Sequence, residues 1–86
     1  AKRYFQAGTG DYRRGRFREA EANFTMAIKL LPGDVPALEW RAYVRTAMGR
    51  LDEAQQDVDA AIKLDPENRR MKVLEQRIEA ARNGSK

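Results

Sequence analysis

Carboxylates recur close together as Asp52 with Glu53 and Asp57 with Asp59, the grouping from which a general base is made when a neighbour or an apolar pocket lifts its pKa. The chain has no histidine and no cysteine, so the usual near-neutral base, thiol nucleophile and transition-metal ligands are missing. Helical periodicity sets both carboxylate pairs on helix surfaces without such a pocket, where a structural or solvating role is expected. Gly8, Gly10 and Gly15 do not make a phosphate loop, because no strand precedes them and no Lys-Ser/Thr pair follows. Arg13, Arg14, Arg16 and Arg18 are the densest basic run, suited either to phosphate contacts or to a solvated turn with Glu19 and Glu21 as partners. None of this supports turnover: neither an enzyme nor a cofactor is expected, and function must lie in surfaces.

The elements that carry those surfaces come from a repeat. Gly15, Arg16, Glu19, Ala20, Ala27, Ile28, Lys29, Leu30 and Pro32 recur 34 residues later as Gly49, Arg50, Glu53, Ala54, Ala61, Ile62, Lys63, Leu64 and Pro66. A fixed period of this length means one supersecondary unit stacked on its copy. Apolar residues at helical spacing predict helices near 2–14, 17–31, 35–48, 51–64 and 69–82, and no strand-like alternation. Phe17, Ala20, Phe24, Ala27, Ile28 and Leu31 make one core stripe, Leu51, Ala54, Val58, Ala61 and Ile62 a second, and Met71, Leu74, Ile78 and Ala81 a third. Gly15 and Gly49 permit the tight turns, Pro32 and Pro66 end the helices before them, Asp34 and Asn68 start the helices after them, and Asn83-Gly84 stops the last.

With Tyr4 and Leu38 at the fourth position, Gly8 and Ala42 at the eighth, and Phe24 and Val58 at the twenty-fourth, the unit resembles the tetratricopeptide repeat. The resemblance implies an all-α, right-handed superhelical stack of antiparallel helix pairs with five helices. Residues 1–86 would be a single domain: repeat 1 over 1–34, repeat 2 over 35–68, a capping helix over 69–83 and a tail over 84–86. Two departures stand out. Position 7 is Ala7 and then Arg41, and position 11 is Asp11 and then Arg45, so looser packing between the first helices of the units is expected. Gly8 and Gly10 inside the first helix each cost about 1 kcal/mol relative to alanine, and this helix is expected to be the most mobile.

The resemblance also implies where a partner binds. In similar proteins the first helices of successive units line a concave groove, and positions 2, 5, 9, 12 and 13 face a bound peptide. Carried over, these are Lys2, Phe5, Thr9, Tyr12 and Arg13, then Pro36, Glu39, Tyr43, Thr46 and Ala47, then Arg70, Val73, Arg77, Ala80 and Ala81. The rings Phe5, Tyr12 and Tyr43 with the cations Lys2, Arg13, Arg70 and Arg77 favour an acidic, hydrophobic peptide segment. Trp40 shares a row with Val44, Ala47 and Met48 and is read as packing between helices, with a groove contact as its alternative. Where members that hold chaperone C-terminal tails carry lysine, asparagine, asparagine, lysine and arginine, this chain has Phe5, Thr9, Trp40, Arg70 and Leu74. Only Arg70 fits, which disfavours a co-chaperone role.

Charge alternates along the array. Residues 1–34 hold seven basic and four acidic side chains, residues 35–68 four and seven, and residues 69–86 six and two, which sums to the net +4. The acidic middle interrupts a continuous basic stripe, so nucleic acid is an unlikely partner and ranks third. Self-association ranks second, through an apolar flank expected around Tyr4 and Ala7. First stands an adaptor or scaffold that binds a protein segment. No run approaches a membrane span of roughly 18 apolar residues, and no signal-peptide layout is seen. The compartment is left undecided, with the cytoplasm as default.

Overall fold

The computed structural model describes residues 2–84. These form five helices: α1 (Lys2–Arg13), α2 (Phe17–Leu30), α3 (Val35–Ala47), α4 (Leu51–Leu64) and α5 (Arg69–Asn83). Each packs on the next, and α1, α3 and α5 touch in turn along one face. The result is an all-α stack of helix pairs in the tetratricopeptide manner; Ala1, Ser85 and Lys86, and with them most of the expected tail, lie outside the described residues. No described helix is long and apolar enough to cross a membrane.

Glycine and proline punctuate the stack for identifiable reasons. Gly15 and Gly49 adopt φ of +76° and +79°, the left-handed region that other residues enter at a cost. At the first turn the Gly15 N–H donates to the Tyr12 carbonyl at 3.0 Å and the Arg16 N–H to the Asp11 carbonyl at 2.8 Å, a Schellman closure. Gly49 and Arg50 repeat it on Thr46 and Arg45 at 3.0 and 2.9 Å. Leu31 and Asp65 precede the prolines and are extended, with φ of −144° and −140°. Asp34 and Asn68 cap α3 and α5 by accepting from the Ala37 and Met71 N–H groups at 3.2 and 3.0 Å. The last helix runs through Asn83 and ends without a left-handed glycine, since Gly84 has φ −99°.

Two apolar clusters fill the stack. Ala20, Phe24 and Val44 form the first, with Phe5, Tyr12, Phe17, Trp40 and Met48 packed on it. Leu38, Ala42, Ala54, Val58, Ala61, Met71, Leu74 and Ile78 form the second. Leu31 and Ala81, assigned to core stripes by periodicity, are exposed instead: Leu31 lies beyond the end of α2, and Ala81 points away from α4 in the last turn of α5.

Two expectations from the sequence change with the packing. Arg41 and Arg45 tie α3 to the second helices of both units, α2 and α4. Arg41 forks onto Asp57 of α4 at 3.0 and 2.7 Å and donates to Thr25 of α2 at 3.1 Å. Arg45 donates to the same Asp57 at 3.0 Å and to Glu21 of α2 at 2.7 Å. Asp57, read as a surface carboxylate, is therefore buried, its side chain 3% exposed. Gly8 is likewise no defect in α1, because a Cβ there would meet the Phe24 ring at 2.8 Å.

Arg50 joins this network from the second turn, donating to Glu21 and Glu53. Its hydrogen bond holds the Glu53 carboxyl below its ordinary value of 4.5. A depressed folded pKa contributes stability that is fully present above 4.5 and is lost as pH falls through the folded value. Glu53→Gln should therefore lower the thermal midpoint slightly at and above pH 4.5 and flatten its fall below it, so that the two curves converge at low pH. Midpoints measured from pH 2 to pH 7 check this; parallel curves for both proteins would show that Glu53 contributes nothing.

Candidate functional site

The face made by α1, α3 and α5 carries the residues expected to bind a partner, and the structure sorts them into two junctions. At the first, between α1 and α3, Phe5 stands edge-on to Phe24 and Trp40 with centroids 5.8 and 6.5 Å apart. Tyr12 packs edge-on against Trp40 at 5.4 Å and lies tilted to Phe17 at 5.6 Å. Trp40 itself stacks on Phe24, 6.0 Å away at an interplanar angle of 18°. Phe5 and Tyr12 are thus not freely displayed rings but half-buried walls, while Trp40 is a packing residue between helices. In front of Phe5 lies a shallow apolar depression of about 310 Å³ lined by Lys2, Phe5, Asp34 and Pro36.

The second junction, between α3 and α5, holds a polar cluster. Glu39 is 7% exposed and accepts from the Arg70 Nε and Nη2 at 3.3 and 2.9 Å. It also accepts from the Asn68 side-chain amide, while the Asn68 oxygen caps α5. Hydrogen bonding to Glu39 raises the Arg70 pKa above its ordinary value. Arg70, expected as a cation free for a ligand, is therefore engaged within the chain. Tyr43 packs against the second core cluster. The link from Asn68 to Glu39 escaped the sequence reading, which saw only a cap; the pairing of a buried-side glutamate with an arginine 31 residues on was the available signal.

The remaining candidates belong to the same three helices. The hydroxyls of Thr9 and Thr46 donate to their own helix, to Gln6 and Ala42 carbonyls at 3.0 and 2.7 Å. Val73 and Arg77 are exposed on α5, as are Lys2 and Arg13 on α1. Lys2, Arg13 and Arg77 make no ion pair among the described residues. The same holds for the rest of the basic run, since Glu21 turns to Arg45 and Arg50. Of the carboxylates considered for catalysis, Asp57 holds two arginines, Asp52 pairs with Arg82, Glu53 with Arg50, and Asp59 accepts from Gln55 at 2.8 Å.

The end of the stack at α1 differs from the expected apolar flank. Where α3 packs Trp40 and Val44 against Phe24, α1 carries Gln6 and Gly10, 34 residues earlier. Arg3, Gln6, Ala7 and Arg14 are exposed there, and Tyr4 is half-buried. A second copy stacked on this end would gain little apolar burial.

A family model described as "Tetratricopeptide repeat" matches residues 12–78. Among curated proteins the chain is similar to Hsp70-Hsp90 organizing protein 3 of Arabidopsis thaliana, 36% identical over 61 residues, which is 71% of this chain and 11% of that protein. It is also similar to the inactive TPR repeat-containing thioredoxin TTL3 of Arabidopsis thaliana, 39% identical over 59 residues, 69% of this chain and 8% of that protein. The chain spans about a tenth of the length of these relatives. Among solved structures, the first TPR of Spaghetti (RPAP3) bound to the HSP90 peptide SRMEEVD superposes with a TM-score of 0.88 at 24% identity, over 91% of this chain and 62% of that one. At that identity the likeness speaks to fold alone. The second TPR domain of human RPAP3, in complex with the HSP70 peptide SGPTIEEVD, superposes with a TM-score of 0.85 at 28% identity, over 88% and 63%.

Proposed function

The chain belongs to the tetratricopeptide repeat family, and on that premise we propose that it is a protein-interaction module whose α1/α3/α5 face binds an acidic, partly apolar protein segment, serving as an adaptor or assembly scaffold. The observation that carries this reading is electrostatic. Lys2 and Arg13 are exposed on α1 and Arg77 on α5, all unpaired among the described residues, whereas Glu39 is neutralised by Arg70 and Asp34 caps α3. The uncompensated charge of the face is positive, which favours an acidic partner and speeds its encounter. The likeness to a domain in complex with a peptide ending in Glu-Glu-Val-Asp supports the same ligand class.

A chaperone tail is nevertheless not the ligand we favour. The positions that would grip its terminal carboxylate hold Phe5, Thr9, Trp40, Arg70 and Leu74. Phe5 and Trp40 are packed together, Leu74 is in the core, and Arg70 is held by Glu39. No group in this set offers a free donor pair for a carboxylate except what remains of the Arg70 guanidinium.

The test is capture from lysate, with and without nuclease treatment, by the wild-type chain and by a Lys2→Glu, Arg13→Glu, Arg77→Glu variant. All three side chains are exposed, so the variant should keep its helical circular dichroism. Proteins captured by the wild type should be lost or fall at least about tenfold with the variant, because each reversal replaces attraction by repulsion. Equal capture by both proteins sinks the reading, and capture that disappears with nuclease moves it to nucleic acid.

A further inference from the structure

We propose that the α1–α3 junction is the specificity pocket of this face, seating one apolar side chain of the ligand segment with a carboxylate beside it at Lys2, and that the α3–α5 junction is closed to ligand. This rests on the segment-binding reading above and narrows it to one place and one side-chain class.

The two junctions are the same place in consecutive units. Phe5, Asp34 and Pro36 stand 34 residues before Glu39, Asn68 and Arg70. At the later junction the three side chains engage one another: the Glu39 carboxylate, its side chain 9% exposed, takes the Arg70 fork and the Asn68 amide, and the outer edge of the Arg70 guanidinium faces solvent. A ligand side chain entering there would have to part an ion pair and leave the nearly buried Glu39 carboxylate without its cation, which is costly. At the earlier junction each of the three positions has lost that capacity. Phe5 accepts nothing, Pro36 has no side-chain donor, and Asp34 accepts the Ala37 N–H at the positive end of α3. With no such pair, the earlier junction carries the depression of about 310 Å³ lined by Lys2, Phe5, Asp34 and Pro36.

The pocket is built for one apolar side chain. Its size lies at the bottom of the range for ligand sites, room for a single large residue and its backbone. Its wall is preorganised, because Phe5 is held by Phe24 and Trp40 and needs no ordering when a ligand arrives. Pro36 in the first turn of α3 adds a rigid apolar rim. The rim's cation, Lys2, has no ion partner among the described residues, so an acidic neighbour in the ligand is matched there.

The experiment uses acetylated, amidated Glu-Glu-X-Glu-Glu peptides with X as Gly, Ala, Leu or Phe, titrated at low salt into the isotopically labelled chain and followed by backbone amide shifts. The Leu and Phe peptides should give saturable shifts at residues 2–6 and 34–38 and bind at least about tenfold more tightly than the Gly peptide. Pro36→Arg, which copies the closed junction, should bring the Leu peptide down to the Gly level; Pro36 is exposed, so Pro36→Ala serves as the fold control. Lys2→Glu should weaken all four peptides. Equal affinities for Gly and Leu, shifts centred on α3 and α5, or no saturable shift with any peptide would each overturn the proposal. Lysate partners kept by Pro36→Arg but lost by the charge-reversed variant would remove the pocket and leave segment binding standing.

Discussion

Asp57→Ala should lower the unfolding free energy by about 3 kcal/mol, in the range measured when one partner of a buried ion pair is removed. The substitution deletes the acceptor of three hydrogen bonds, from the Arg41 Nε and Nη2 and the Arg45 Nη1 at 3.0, 2.7 and 3.0 Å. Both guanidinium groups stay where they are, 15% and 14% exposed, because their stems pack between α2, α3 and α4. Arg41 is then left with the Thr25 hydroxyl as its neutral partner, and Arg45 with Glu21. The remaining Glu21 pair and the partial exposure put the loss at the lower end of that range. Simultaneous replacement of Arg41, Arg45 and Asp57 by leucine removes the desolvated charges together, and should cost less than Asp57→Ala alone. Urea denaturation at neutral pH reads both. A loss under about 1 kcal/mol for Asp57→Ala would mean that the network is solvated like an ordinary surface pair.

This network marks the limit of what can be read from residue types. The repeat period, the punctuation by Gly15, Gly49, Pro32 and Pro66, and the caps Asp34 and Asn68 are legible because each is a local backbone requirement. All five helix ends fall within one residue of expectation for the same reason. Arg41, Arg45 and Asp57 are different. Charged residues read as surface one at a time, and only the crossing of α2, α3 and α4 brings an arginine fork to a carboxylate 16 residues away. Glu39 and Arg70 repeat the lesson on the candidate site, since a groove position and a groove cation turn out to neutralise each other. Phe5 and Tyr12 are groove candidates by position in the unit, yet their degree of burial depends on Trp40, whose direction no periodicity specifies.

The sign of a glycine substitution offers the sharpest separation between local propensity and packing. Propensity alone says that Gly8→Ala and Gly10→Ala should each stabilise α1 by about 1 kcal/mol. At Gly10 the nearest atom to an added Cβ is the end of the Arg14 side chain at 3.3 Å, which can swing away, so the gain should be realised. At Gly8 the nearest atoms belong to Phe24 at 2.8 Å, and Phe24 is fully buried, stacked on Trp40 and edge-on to Phe5. That ring has nowhere to go, and Gly8→Ala should destabilise by about 1–3 kcal/mol as overpacking does. Phe24→Ala should cost about 3–5 kcal/mol through lost burial and the cavity between α1, α2 and α3. The two changes are coupled, because the cavity left by Phe24→Ala is the space that the Gly8→Ala methyl needs. In the Phe24→Ala background the same Gly8→Ala substitution should therefore become neutral or stabilising, a double-mutant interaction of about 1–3 kcal/mol. Additive effects within about 0.5 kcal/mol would show that Phe24 yields to a methyl at position 8 and that the close approach of α1 to α2 is not what requires glycine there.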